Sequence, residues 1–110
     1  MTTRSSLVFG MIELEEGVID YIQEEAKSQG LKHPVVLIMD CGCILVQGAV
    51  ELDIQEIEKA KGYEFYIEAK WVNFFINPKV RQAADSGMIG IESYGAGRFK
   101  RLAYHPLPLG

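Results

Sequence analysis

Cysteine is scarce in this chain. Only two occur in 110 residues, Cys41 and Cys43, and none follows them. With 48% hydrophobic residues the chain has enough apolar material for one real core, so folding should not need disulfide staples. Long hydrophobic runs are also missing. No stretch approaches the roughly 20 apolar residues that cross a bilayer, and the apolar part of the opening "MTTRSSLVFGM" is too short for a secretory signal. The expectation is a cytoplasmic protein with no membrane partner. In that reducing compartment two cysteines stay thiols, which directs their use towards metal binding, catalysis or packing.

A basic face is lacking as well. The formal net charge is −4, and nucleic-acid binding needs cationic surface to displace phosphate counterions, so no nucleic-acid partner is expected. The acids cluster: Glu13, Glu15, Glu16, Asp20, Glu24 and Glu25 have no base among them, whereas Arg98, Lys100 and Arg101 stand together near the end. That basic trio reads as a solvated strand end, with weak contact to an acidic partner protein as the alternative. There is no internal repeat, low-complexity tract or interdomain linker. Residues 11–110 therefore form a single domain, and residues 1–10 an N-terminal extension expected to be flexible. Ser-His-Asp and Cys-His constellations are missing, and no helix carries carboxylates paired at a catalytic spacing, so the expectation is a binding protein and not an enzyme.

What is present is a clear series of periodicities. "MIEL" reads as a short strand and "EEGVIDYIQEEAKSQG" as a helix of about four turns, with Val18, Ile22 and Ala26 on one face and Glu16, Asp20, Gln23 and Lys27 on the other. Acids in its first turn oppose the positive end of the helix dipole, and Gly30 ends it. "VVLIM" is a β-branched apolar run suited to a buried strand; "GAVELDI" and "YEFYIEA" alternate as half-buried strands do. "KWVNFFI" fits either a strand or the start of a helix. In "NPKVRQAADSG", Pro78 suits a first helical turn and Gly87 a stop, which predicts a second, shorter helix. "MIGIESYG" and "RFKRLAY" are strands around the tight turn "GAG". The expected fold class is α+β, with short mixed β-sheets, one N-terminal helix and one shorter C-terminal helix.

The chemistry centres on "MDCGCIL", residues 39–45. On a straight strand, residues i and i+2 share a face with Cα atoms about 6.6 Å apart, near the upper limit for a disulfide. A turn at Gly42 would bring the two sulfurs to the roughly 3.8 Å that two thiolates on one tetrahedral ion require. One chain then offers two sulfurs where a closed zinc or iron–sulfur site takes about four, so a two-fold dimer would complete it. The alternative is core filling: if the strand continues, Val35, Leu37, Met39, Cys41 and Cys43 share one face. Continuation would also set Asp40 beside Ile38 and Ile44, where a carboxylate is costly to bury, so the strand should end or bend at Asp40. A third use, a redox pair, needs a lowered thiol pKa, and Asp40 next door acts in the opposite direction. His33 and His105, each before a proline, read as surface histidines. Trp71, Phe74 and Phe75 read as an aromatic cluster in the core or at a dimer interface.

The order "MIELEEGVIDYIQEEAKSQG", "HPVVLIMDCGC", a strand pair and "YEFYIEAKWVNFFINPKVRQAADSG" resembles the HesB/IscA-like family, the A-type carriers of iron–sulfur cluster assembly. The resemblance covers roughly residues 11–104 and lies in the order of features. It implies a cluster-binding cysteine after the early strand, matched here by Cys41 or Cys43, and association into dimers or higher oligomers. It also implies iron–sulfur assembly or recipient proteins as partners. Family members carry a further Cys-Gly-Cys pair near the C-terminus; "GRFKRLAYHPLPLG" has none, which makes this a divergent pattern. The site expected is Cys41 and Cys43, with Asp40 and Gly42 shaping the turn. The cargo expected is an iron–sulfur cluster or iron, with zinc as the alternative.

Overall fold

Residues 7–9, 12–40, 50–81 and 87–106 are described by a computed structural model. The strand best marked in the sequence, β3 (Pro34–Asp40), lies at the centre. Four consecutive residues, Val35 to Ile38, are buried, so both faces of this strand are covered. It pairs antiparallel with β4 (Val50–Glu56) over seven residues, from Pro34↔Glu56 to Asp40↔Val50, and parallel with β6 (Val72–Ile76). β5 (Glu64–Ala69) adds to β6 as a hairpin whose turn residue Lys70 has φ 58°, completing one four-stranded sheet in the order β4-β3-β6-β5.

The second sheet has the order β1-β2-β7-β8, from β1 (Leu7–Phe9), β2 (Ile12–Leu14), β7 (Gly87–Tyr94) and β8 (Phe99–Pro106). β2 runs parallel to β7 and the other pairs are antiparallel. Leu7–Phe9 thus forms an edge strand within the stretch expected to be a flexible extension; residues 1–6 and 10 lie outside the described residues. Ile12, Leu14, Ile89 and Leu102 from this sheet meet Val36, Ile38, Ile54, Phe74 and Ile76 from the other in one core. Helix α1 (Val18–Gln29) adds Val18, Ile22 and Ala26, the spacing of one apolar face. Gly30, at φ 68°, closes it in a Schellman arrangement: its N–H bonds to the carbonyl of Lys27, and the Leu31 N–H to that of Ala26. At twelve residues α1 is the longest helix among the described residues, and no helix there is long and apolar enough to cross a membrane.

The expected α+β class with a second helix is overturned: the described residues are mostly strand. Pro78 does open a helical turn, but only the 3-10 turn Pro78–Val80 follows. Asn77 Oδ1 accepts the Lys79 N–H at 2.9 Å, and Val80 turns into the core. Residues 82–86 lie outside the described ones. Gly87, read as a stop, opens β7 for a packing reason. A Cβ there would stand 2.6 Å from both the His105 carbonyl oxygen and the Tyr104 hydroxyl, so glycine is required by the close approach of β8. The ambiguous "KWVNFFI" is strand, and its alternation separates the expected aromatic cluster. Phe74 is fully buried, Phe75 meets Phe65 edge-on on the other face at 6.0 Å, and Trp71 is exposed in the turn.

This assigns Gly87 a testable cost. Gly87→Ala should destabilise the fold by about 1–3 kcal/mol, because β8 must move to admit the methyl group. Denaturant unfolding checks it, and a change below about 0.5 kcal/mol, as for an ordinary surface substitution, would contradict the close-approach role.

Candidate functional site

Asp40, the last described residue of β3, is exposed opposite Val50. Burial falls within three positions, from Ile38 at 1% exposure through half-buried Met39 to Asp40. Residues 41–49 join the paired ends Asp40 and Val50. Cys41, Gly42 and Cys43 fall in this stretch and lie outside the described residues. The exposure of Asp40 agrees with the cost of burying a carboxylate.

The two histidines are far apart along the sheets. His33 sits just before the other end of β3, seven residues from Asp40, or about 23 Å of extended chain. The Glu56 carboxylate accepts the Lys32 N–H at 2.9 Å and the His33 N–H at 2.8 Å, and lies 3.5 Å from His33 Nδ1. This glutamate clasps the entry to β3, each carboxylate oxygen accepting one backbone N–H. His105 lies on β8 opposite Met88, exposed, in a cleft of about 370 Å³ that also takes in Val50, Glu51 and Leu52. Among the described residues, no three His, Cys, Asp or Glu side chains gather as a metal ion would require.

A larger cleft, about 640 Å³, separates α1 from the tip of the β7–β8 hairpin. Asp20, Glu24 and Glu25 form the helix wall, Arg98 and Lys100 line the hairpin wall, and Ile91 lies between them. Tyr21 crosses from one wall to the other, its hydroxyl donating to the Lys100 carbonyl at 2.8 Å. Burial raises the Tyr21 pKa, and the negative charge of Glu25 and then Tyr94 add to the effect. On the hairpin, Tyr94 stacks on Phe99 at 5.4 Å, and Arg101 lies 5.0 Å from the Tyr94 ring while bonding Glu92 through Nη2 at 2.7 Å and Nε at 2.9 Å. The Glu92 hydrogen bond and charge hold the Arg101 pKa above its usual value.

The basic trio is therefore divided. Arg101 is engaged by Glu92 and Tyr94, whereas among the described residues Arg98 and Lys100 form no ion pair. Sequence reasoning passed over the Tyr94–Phe99 stack, although the register of a tight hairpin carries the signal. With "GAG" in the turn, Tyr94 falls opposite Phe99 and Glu92 opposite Arg101 on one face.

No protein-family model matches the chain, and no curated protein matches it.

Tyr21 yields a pH prediction. A raised pKa in the folded state means that its stabilising contribution is complete below the ordinary tyrosine value of 10.0 and fades as pH rises through the folded value. Tyr21→Phe should cost about 0.5–1.5 kcal/mol at neutral pH, the range for one hydrogen bond. The difference from wild type should narrow on the alkaline side of pH 10 in paired urea titrations; a constant difference would contradict the assignment.

Proposed function

We propose that this chain is an iron–sulfur-cluster or metal-binding carrier protein of the HesB/IscA-like kind, working in the cytoplasm with thiolates of Cys41 and Cys43 as its ligands. The observation that carries the reading is the fall in burial along β3. Ile38 is buried, Met39 half-buried and Asp40 exposed, and Cys41 follows it directly in the chain. This fall in burial towards the cysteines supports a ligand role over core filling. Gly42 supplies the backbone freedom to turn both sulfurs towards one ion. The donor set is soft sulfur, which suits iron–sulfur clusters and zinc before the hard cations.

Two sulfurs per chain are half of a four-ligand site, so two chains share the cargo in a homodimer or a higher oligomer. The partners that follow are assembly proteins that load the cargo and recipient proteins that accept it. Asp40 disfavours the thiol-oxidoreductase alternative, since a carboxylate beside a thiol opposes the thiolate that redox exchange needs.

Serine substitution separates ligands from core residues. Cys41→Ser and Cys43→Ser should each abolish stoichiometric iron and labile sulfide after anaerobic reconstitution, with folding retained by circular dichroism. Core cysteines would instead lose on the order of 1–3 kcal/mol of stability with no metal to lose. Equal metal content in wild type and the double serine variant would sink the proposal.

A further inference from the structure

The cleft between α1 and the β7–β8 hairpin has walls of opposite charge. Asp20 and Glu24 are exposed on the helix side, with Glu25 half-buried behind them; Arg98 and Lys100 are exposed on the hairpin side. Among the described residues, none of these side chains is in an ion pair, so the two signs face one cleft without neutralising each other. Beside them stand two of the exposed large hydrophobic residues, Tyr94 at 44% and Phe99 at 54%. Charged borders around an exposed aromatic pair form a surface suited to protein contact.

The charge pattern selects the partner. A uniformly acidic surface would call for a basic partner, but this one carries both signs on opposite borders. Its complement is the same surface turned by a two-fold rotation, which sets each copy's helix wall against the other's hairpin wall. From this we infer that the α1–hairpin cleft is the contact face for a second copy of this chain. Tyr94 and Phe99 of each copy form the apolar centre, and Asp20 and Glu24 meet Arg98 and Lys100 across the two-fold axis.

A second cleft on the same hairpin reaches the start of β4, whose Val50 pairs with Asp40. Val50 and Glu51, at the start of β4, line one cleft with Glu92 and Arg101, immediately beyond Lys100 on β8. The inference rests on the two-chain reading and deepens it by naming the face through which the chains meet. It also gives the salt dependence a sign. Association driven by complementary exposed charges weakens as ionic strength rises.

Charge reversal of each wall provides the test, read by sedimentation velocity on the full chain, reduced and metal-free. Wild type should dimerise. Asp20→Lys with Glu24→Lys makes both walls basic, and Arg98→Glu with Lys100→Glu makes both acidic, so each double variant alone should associate at least about tenfold more weakly. Mixed together, the two double variants should recover a heterodimer of near wild-type affinity, which also shows that both fold. A monomeric wild type, double variants that dimerise as wild type does, or a mixture without rescue would each overturn the inference. If wild type is monomeric and the cleft instead binds another protein, the surface belongs to that partner and the inference fails. The Cys41→Ser, Cys43→Ser double variant distinguishes the two proposals. Its metal-free dimer should match wild type; a dimer that forms only with metal and intact cysteines would overturn the cleft contact and leave the cysteine reading standing.

Discussion

Everything else in this fold depends on burial of both faces of β3. Val36 and Ile38 point into the main core beneath α1 and the second sheet, and Val35 and Leu37 point the other way, under Ala60 of the 3-10 turn Ile57–Ala60. A strand covered on both sides must have its backbone paired on both edges, and β4 and β6 supply those partners. The long connection between β4 and β5 crosses the outer face because Val35 and Leu37 need cover there. The fully buried stretch ends at Ile38, before half-buried Met39 and exposed Asp40.

Local features of the fold were legible in the sequence. "VVLIM" announced β3, the Val18, Ile22 and Ala26 spacing announced α1, and Gly30 ended it through a positive φ that glycine accepts readily. Long-range pairing was not legible: the parallel pairs β2–β7 and β3–β6 join segments with no local turn to set their register. The expected second helix failed for the same reason. Pro78 and Gly87 carry helix boundary signals, yet after the Asn77 cap the described residues show only a short 3-10 turn, and Gly87 answers to Tyr104 and His105 on the neighbouring strand β8.

Of the candidate site, the exposure of Asp40 was legible, because the desolvation cost of a carboxylate can be read from the residue order alone. Cys41, Gly42 and Cys43 lie outside the described residues. The α1–hairpin cleft was legible only in its charges. Its shape depends on Tyr21 reaching Lys100, 79 residues away, and on a hairpin register that stacks Tyr94 on Phe99. The resulting division of charge, with Arg101 engaged by Glu92 while Arg98 and Lys100 remain available for contact, comes from cross-strand pairing, which composition does not reveal.

The central proposal is that the two thiols that follow Asp40 serve as ligands and are not packing. Thiol reactivity measures this most directly. Reduced, metal-free protein is treated under native conditions with a chromogenic disulfide reagent, and the modification rate is compared with the unfolding rate under the same conditions. The account predicts two reactive thiols per chain, each modified within about tenfold of the rate of a small free thiol of similar pKa. Modification that waits for global unfolding, at the same rate for both cysteines, would make them core residues and contradict the account.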